Sequence, residues 1–290
     1  MKLCRYGAPG KEKPGVVDSE GRIRDLSRIW PEISPDTVRL SQLATLQDID
    51  LMTLPIVEGS PRFGVPVASI GKIIAVGLNY ADHAAESNLP VPPEPIFFTK
   101  SITSLSGPND PVMKPRDATK LDWEVELGLI IGKTCRYVEE ADALSHVAGY
   151  VLVNDISERA FQKERGTQWV KGKGADTFCP TGPWLVTPDE VGDPHNLDMF
   201  LDVNGQRMQT GNTKTLIFNV AQCISYISRF ITLQPGDLVI TGTPPGVGEG
   251  KKPNPIYLNA GDVMHLGVTK LGQQQQTVIP FTLEGQEIIG

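Results

Sequence analysis

Short apolar segments separated by turn residues make up most of the chain. Residues 72–78, 121–128 and 148–155 are rich in Val, Ile and Leu and are bounded by Gly or polar residues, a pattern typical of buried strands. Residues 217–230 instead carry apolar side chains at helical spacing, which predicts an amphipathic helix packed on a sheet. The 29 glycines and 24 prolines favour turns and short strands over long helices.

The same pattern predicts two units of unequal size. Residues 1–65 contain short strands, turns and one short helical segment, and we interpret them as a small N-terminal α/β domain. A stretch punctuated by Pro and Gly over 58–66 leads into a main domain, residues 66–290. In the main domain, strands and helices do not alternate regularly. The predicted fold class is therefore α+β and mostly β.

Two features near the end of the main domain refine this prediction. Asn204-Gly205 lies between two alternating segments and predicts a β-hairpin. The glutamine tract at 273–276 is polar throughout, and we expect it to separate the closing strands.

Two glutamates interrupt the apolar pattern of residues 121–128. Glu124 and Glu126 are two apart, so on a strand their side chains share one face. Two buried anions at this spacing would repel each other, and either a shared proton or a neighbouring cation must compensate them. The ordinary alternative is a solvated strand face whose glutamates pair with Lys or Arg.

A third carboxylate, Asp155, ends the apolar segment 148–155. A carboxylate at a strand end can converge on Glu124 and Glu126. Three oxygen anions without a neighbouring His or Cys suit Mg²⁺, Mn²⁺ or Ca²⁺ better than zinc. The sequence thus predicts a candidate metal site for a hard divalent cation.

His83 and Glu86 follow the strand 72–78 in a segment that enters a helix. Residues three apart are neighbours on a helix, so the carboxylate can orient the imidazole and raise its basicity. The pair is therefore a candidate base and its orienting group. An ordinary histidine on a helix surface remains the alternative.

Further candidate groups follow Asp155. Arg159 and Gln162 share one face of a predicted helix start and can bind a carboxylate or keto oxygen. The glycine-containing polar run 163–174 is either a mobile lid or a plain solvated loop. Lys100, which ends an aromatic strand, either reaches an anionic substrate or pairs with a carboxylate, and we favour the second interpretation.

Composition narrows the possible partners. The net charge of −7 argues against nucleic acid and acidic membrane surfaces as partners. No apolar run approaches the ~20 residues that span a bilayer, and the first residues lack the apolar core of a signal peptide. The four cysteines are scattered and indicate neither disulfides nor a zinc site. We expect a cytoplasmic protein that binds small molecules and neither membranes nor nucleic acid.

Five ordered motifs together resemble the fumarylacetoacetate hydrolase (FAH) family. The resemblance covers roughly residues 70 to 280, and five motifs in the family's order are far more specific than any one of them. The motifs are GLNYADHAAE, LDWEVELGLIIGK, NDISERAFQ, ADTFCPTGPW and GDLVITGTPPGVG.

The resemblance implies a mixed β-sandwich roll of the family's C-terminal-domain type, usually a homodimer, with bound Mg²⁺ or Mn²⁺. It implies metal ligands at Glu124, Glu126 and Asp155. It implies a water-activating pair and an active-site lysine at His83, Glu86 and Lys173. It implies substrate contacts at Arg159, Gln162 and Thr243. A fourth acidic ligand that some members carry upstream of the histidine has no counterpart in this chain, so we expect three protein ligands.

The implied activity is hydrolysis of a carbon–carbon bond in a 2,4-diketo acid, giving pyruvate and a second acid. The substrate is an acylpyruvate or a diketo sugar acid, such as 2,4-diketo-3-deoxy-L-rhamnonate or -fuconate. One alternative is a lyase, decarboxylase or isomerase that acts on an oxaloacetate-like 2-oxo acid. The other is a metal-binding protein without catalytic activity.

Overall fold

A computed structural model describes residues 1–82 and 90–283 of the chain. Strands dominate this part of the molecule. In chain order the strands are β1 (Lys2–Tyr6), β2 (Lys13–Val17), β3 (Ile23–Asp25), β4 (Ile73–Gly77), β5 (Ile96–Lys100), β6 (Leu105–Ser106), β7 (Val112–Met113), β8 (Leu121–Asp122), β9 (Val125–Ile131), β10 (Val147–Asn154), β11 (Ser157–Glu158), β12 (Cys179–Pro180), β13 (Leu185–Val186), β14 (Asp198–Val203), β15 (Gln206–Asn212), β16 (Leu238–Ile240), β17 (Val263–Val268) and β18 (Gly272–Ile279).

Helices are short in the described residues. The α-helices are Leu40–Leu46, Glu140–Ala143, Arg159–Lys163, Val170–Lys173, Pro188–Val191 and Val220–Ser228, and single 3₁₀ turns are Leu51–Thr53, Ile102–Ser104, Leu144–His146, Thr213–Thr215 and Gly248–Gly250. None of these helices has the length and apolar character needed to cross a membrane. The predicted α+β, mostly β class is confirmed.

Two large sheets organise the main domain. The first has nine strands in the order β3-β2-β1-β13-β10-β9-β16-β4-β5, and the second has five in the order β15-β14-β17-β18-β7. One core lies between the sheets, where Leu127 and Leu152 of the first meet Leu201 and Leu266 of the second. The central strands of the nine-stranded sheet are continuous apolar segments, because both faces of this sheet are buried.

The N-terminal residues cover the other face of the nine-stranded sheet. Leu26, Trp30 and Ile33 pack in a second core with Ile130 and Val151. Strand β1 also pairs with β13, so β1 to β3 extend the same sheet. The boundary that we predict near residue 65 stays a prediction, and these strands are physically continuous with the main sheet.

Two local predictions are confirmed. The helix Val220–Ser228 lies within the predicted segment 217–230, and it begins with a capping box in which Asn219 and Gln222 satisfy each other's backbone N–H groups. Asn204 and Gly205 both have positive φ angles of 51° and 77°. They form the turn between β14 and β15, as the hairpin signal predicts.

The expectation for the glutamine tract is wrong. Residues 273–276 lie inside β18 and do not separate strands. Gln274 and Gln276 point into the core and are at most 1 % exposed. Gln274 Nε2 donates to the carbonyls of Leu152 and Gly182 at 2.9 and 2.8 Å. The cost of burying these amides is offset because distant backbone carbonyls accept their hydrogen bonds.

Candidate active site

Antiparallel pairing brings the three predicted carboxylates together. Strand β9 pairs with β10 so that Val125 lies opposite Asn154, and the N–H of Asp155 donates to the carbonyl of Glu124 at 2.8 Å. Carboxylate oxygens of Glu124, Glu126 and Asp155 lie within 4.8 Å of one another, and all three residues are buried. The predicted single strand 121–128 is in fact interrupted at residues 123 and 124, which places Glu124 in a short break between β8 and β9.

Three buried cations surround this triad of carboxylates. Lys173 Nζ donates to Glu124 Oε2 at 2.9 Å and to Asp155 Oδ2 at 2.6 Å. Arg159 Nη2 lies 2.6 Å from Glu124 Oε1. Lys100 Nζ donates to Asp155 Oδ1 at 2.5 Å. Glu124 and Asp155 therefore each have both carboxylate oxygens paired with a cation.

The two glutamates differ in their preferred charge. Burial by itself would raise the pKa of Glu124, but the positive charges of Lys173 and Arg159 outweigh burial and hold that pKa well below its usual range. Burial also raises the pKa of Glu126, and there the negative charges of Asp155 and Glu124 raise it further. The neighbouring cations thus favour the charged form of Glu124, whereas burial and the neighbouring anions favour the protonated form of Glu126.

The turn after β16 brings a backbone N–H group to Glu126. The N–H of Gly242 donates to Glu126 Oε2 at 2.8 Å. Gly242 has a φ of 97°, and a Cβ there would lie 3.0 Å from Cβ of Asn79, so both conformation and space require glycine. Among the described residues, the carboxylate of Glu126 accepts a hydrogen bond from the N–H of Gly242 and forms no ion pair with a lysine or arginine.

The donor set suits a hard divalent cation. It consists of three carboxylates at close range and contains no imidazole or thiolate, which matches the oxygen preference of Mg²⁺ and Mn²⁺. Metal binding would also supply the positive charge that Glu126 lacks. Glu124, Glu126 and Asp155 are the residues that would hold the ion.

A cavity of about 370 Å³ opens in front of the triad, within the usual size range of small-molecule sites. The triad, Arg159 and Lys173 form part of its polar lining. Phe98 and Trp169 form an apolar wall, and their rings meet edge to face with centroids 5.2 Å apart. Phe98 also lies under Lys173, whose Nζ is 5.3 Å from the ring centroid.

The other predicted site residues differ in how directly they face the cavity. Gln162 lines it and accepts a hydrogen bond from Arg159 Nη1 at 3.2 Å. Thr243 lines it too, although its hydroxyl donates to the carbonyl of Val125 at 2.9 Å. Lys171 is exposed, so Lys173 is the lysine of this segment that faces the triad.

The segment 163–174 consists of an exposed loop and a short helix, and its interpretation as a mobile lid stays a prediction. Residues 164–168 are exposed, as in a solvated loop. The helix Val170–Lys173 follows and carries Lys173 into the site with 2 % exposure. His83 and Glu86 lie outside the described residues, so their predicted role as a water-activating pair stays a prediction.

Two contributors to the site are missed by sequence reasoning. Asp122 is fully buried and accepts hydrogen bonds from Arg159 Nε at 2.9 Å and from the N–H of Gly248 at 2.6 Å. Gln209 of β15 accepts from the N–H of Val125 at 3.0 Å and donates to Thr243 Oγ1 at 2.8 Å. Both contacts join residues far apart in sequence, and only the proximity of Asp122 to the two glutamates gives a sequence signal.

Comparison with known proteins places this site in a family. The profile described as "Fumarylacetoacetate (FAA) hydrolase C-terminal" matches residues 72–279. The chain belongs to the fumarylacetoacetate hydrolase family. The matched region contains the triad, Arg159 and Lys173. The predicted resemblance is therefore confirmed.

Individual members of the FAH family cover the chain almost completely. The 2,4-didehydro-3-deoxy-L-rhamnonate hydrolase of Sphingomonas sp. (strain SKA58) is 65% identical over 290 residues, covering 100% of both chains. A fumarylacetoacetate hydrolase structure from Exiguobacterium antarcticum is 37% identical with a TM-score of 0.85, covering 97% of this chain and 100% of its own.

A third FAH-family comparison bears on the metal. The maleylpyruvate hydrolase of Sphingobium sp. SYK-6, in complex with manganese(II) and pyruvate, is 32% identical with a TM-score of 0.80, covering 97% of this chain and 100% of its own. With the buried acidic triad, it supports the prediction of divalent-metal binding. The prediction of a hydrolase acting on carbon–carbon bonds is confirmed by family membership and these named hydrolases.

Proposed function

We propose that this enzyme hydrolyses 2,4-didehydro-3-deoxy-L-rhamnonate, with Mg²⁺ or Mn²⁺ held by Glu124, Glu126 and Asp155. The relative that is 65% identical across both full chains carries this activity in its name. The observation that carries the proposal is the buried triad at the floor of a cavity that also presents Lys173 and Arg159. A 2,4-diketo acid is anionic and has two carbonyls that match such a polar floor.

The reaction balances as an addition of water and one bond cleavage. Water adds to the C4 carbonyl, the bond between C3 and C4 breaks, and C3 leaves as a carbanion stabilised by the adjacent 2-oxo group. Protonation of C3 gives pyruvate, and the C4 fragment becomes lactate. A bound divalent cation supplies Lewis-acid polarisation of substrate oxygens.

Lys173 has the charge needed for a role as an anion-binding group. Burial lowers the pKa of Lys173, but the negative charges of Asp155 and Glu124 outweigh burial and raise it. Its ammonium therefore stays protonated and donates hydrogen bonds to oxygens that gain negative charge, as Arg159 and Gln162 do beside it. We assign contact with the acid group of the substrate to Thr243, which lines the cavity.

Activation of water requires an unprotonated base, and Lys173 and Arg159 are both protonated. We assign that step to His83, with Glu86 as the group that orients its imidazole. In this assignment His83 takes the proton from water, and the protonated imidazole then supplies a proton to the C3 carbanion. The assignment draws on the motif and on the charge state of the described cavity residues.

The test is a substrate panel with the purified enzyme. Diketo sugar acids, acylpyruvates and oxaloacetate are incubated with Mg²⁺ or Mn²⁺, and pyruvate, the second acid and carbon dioxide are quantified. We expect equal amounts of pyruvate and lactate from the rhamnonate derivative, and loss of turnover in Glu124→Ala. Carbon dioxide from oxaloacetate without diketone hydrolysis would support a decarboxylase instead, and full activity of metal-free enzyme would contradict the proposal.

Three finer assignments belong to the same proposal: use of Mg²⁺ in the cell, action in the cytoplasm and assembly as a homodimer. Exposed apolar side chains are available for contact with a second copy: Tyr137 and Phe230 are 68% and 62% exposed, and the N–H of Tyr137 donates to the carbonyl of Ser228, two residues before Phe230. Light scattering coupled to size exclusion measures the assembly directly, and a monomeric mass would contradict the homodimer.

A further inference from the structure

Lys100 is a buried cation that contacts Asp155 of the triad and does not line the cavity. Its side chain is fully buried, and within the described residues it is not part of the cavity lining. Its ammonium donates to Asp155 Oδ1 at 2.5 Å, to the carbonyl of Ile156 at 3.4 Å and to the carbonyl of Lys173. An ammonium has three donors, and these three acceptors satisfy all of them.

The two oxygens of Asp155 are held by different lysines. Oδ1 receives Lys100, and Oδ2 receives Lys173. Lys173 also contacts Glu124 Oε2, so Oδ2 is the oxygen of Asp155 on the side of the triad. The bond to Lys100 on the opposite oxygen therefore determines which oxygen of Asp155 is presented to Glu124 and Glu126.

Lys100 also connects Asp155 to the segment that carries Lys173. The carbonyl that it binds on Lys173 lies at the end of the helix Val170–Lys173. One ammonium thus joins the end of β5, the carboxylate of Asp155 and the last turn of that helix. We propose that Lys100 is a positioning residue of the metal centre, which orients Asp155 as a ligand and does not touch substrate. The proposal rests on the proposed ligand set.

Lys173 provides a direct contrast on the same carboxylate. It lies between Glu124 and Asp155 and bonds both, so its charge competes with a cation for the same oxygens. Lys100 bonds the other oxygen of Asp155, and a cation held between the three carboxylates would leave this bond in place. Removing the charge of Lys173 should leave metal affinity unchanged or higher, whereas removing the charge of Lys100 should lower it.

The experiment compares Lys100→Met, Lys100→Arg and Lys173→Met with the wild-type full chain. Metal-free protein is titrated with Mn²⁺, and free Mn²⁺ is measured by electron paramagnetic resonance, which requires no turnover. We expect Lys100→Met to bind Mn²⁺ about 10- to 100-fold more weakly, the range found for partners of metal ligands. Lys100→Arg should recover part of this loss because it keeps the charge, and Lys173→Met should bind at least as tightly as the wild type.

Lys72→Met is the matched control. Lys72 forms an ion pair with the buried Asp237, a lysine–aspartate pair whose lysine is 32% exposed and which does not involve the triad. The Lys72→Met substitution should lower thermal stability. It should change Mn²⁺ affinity by no more than about twofold, because substitutions at distant sites act independently. Circular dichroism and thermal unfolding of the metal-free proteins establish that each variant folds.

The outcomes separate this proposal from the proposed function. If wild type and Glu124→Gln bind Mn²⁺ equally, the ligand set is wrong. If wild type binds Mn²⁺ through that ligand set and Lys100→Met binds with the same affinity, Lys100 is not a positioning residue. Should Lys100→Met fail to fold, Lys100→Gln replaces it, and equal affinity of the Gln and Arg variants would overturn the proposal.

Discussion

Two regions of this molecule bury carboxylates, and they stabilise them in different ways. In the N-terminal segment, Asp18 accepts hydrogen bonds from Arg24 Nε at 2.7 Å, from Arg22 Nε at 3.2 Å and from the backbone N–H groups of Glu20 and Arg22, both at 2.9 Å. Burial would raise the pKa of Asp18, but these donors outweigh burial and hold it well below its usual range. The folded state satisfies this anion completely.

At the metal centre, cations compensate only two of the three buried carboxylates. Glu124 and Asp155 are paired with cations, while burial and the neighbouring anions raise the pKa of Glu126 well above its usual value. The two regions thus differ in whether each buried carboxylate has its own cations, and a cavity carboxylate with a strongly raised pKa, such as Glu126, is a candidate functional group.

The substitution Glu126→Gln should have the largest effect of those that test the difference between the two regions. Glutamine has the shape of the protonated acid, so we expect the metal-free variant to unfold at or above the wild-type temperature at neutral pH. Activity should fall more than about a hundredfold, since a lost ligand exceeds the usual effect of an outer partner. Thermal unfolding and a pyruvate assay measure the two effects, and a marked loss of metal-free stability would show that Glu126 is charged in the fold.

Metal binding should release a proton from Glu126. Its pKa is raised in the metal-free protein, and a ligand carboxylate must be deprotonated. Below that pKa, the apparent affinity for Mn²⁺ should therefore rise with pH, by up to about tenfold per unit. Titration calorimetry in two buffers of different ionisation enthalpy counts the released protons. A pH-independent affinity with no proton release would contradict the assigned charge.

Asp18→Asn should have the opposite profile to Glu126→Gln. Since the folded-state pKa of Asp18 is lowered, its contribution to stability is present above the unfolded pKa of about 3.9 and is lost as pH falls through the folded value. We expect a melting temperature lower by a few degrees at pH 7, a smaller difference at acidic pH and unchanged kcat. Reduced Mn²⁺ affinity in this variant would mean that the two regions are coupled.

The smallest effect is expected at the cavity entrance. Lys163 Nζ bonds Glu249 Oε2 at 2.5 Å, but the two side chains are 52% and 30% exposed. Exposed ion pairs contribute little to stability. We expect Lys163→Ala to change kcat/KM by less than about threefold at moderate salt. A much larger loss would assign this pair to substrate binding or closure of the site.

Local patterns were sufficient for several parts of the fold. The strands around Glu126 and before Asp155, the hairpin at Asn204 and the helix Val220–Ser228 all follow from short-range periodicity and turn chemistry. The three carboxylates are likewise visible in sequence, since two of them interrupt an apolar run and the third ends one. Nothing local, however, indicates that Gln274 is buried, because its acceptors are carbonyls of Leu152 and Gly182.

The sequence by itself determined the class of fold, the family and the carboxylates offered to a metal, because these depend on spacing and on the order of motifs. Tertiary structure alone decided the charge of each acid. Lys100, Arg159 and Lys173 reach Glu124 and Asp155 from separate segments, and a buried pKa depends on distances between such segments. The two glutamates lie in the same short sequence segment, and their pKa values shift in opposite directions only because folding gives one of them its cations.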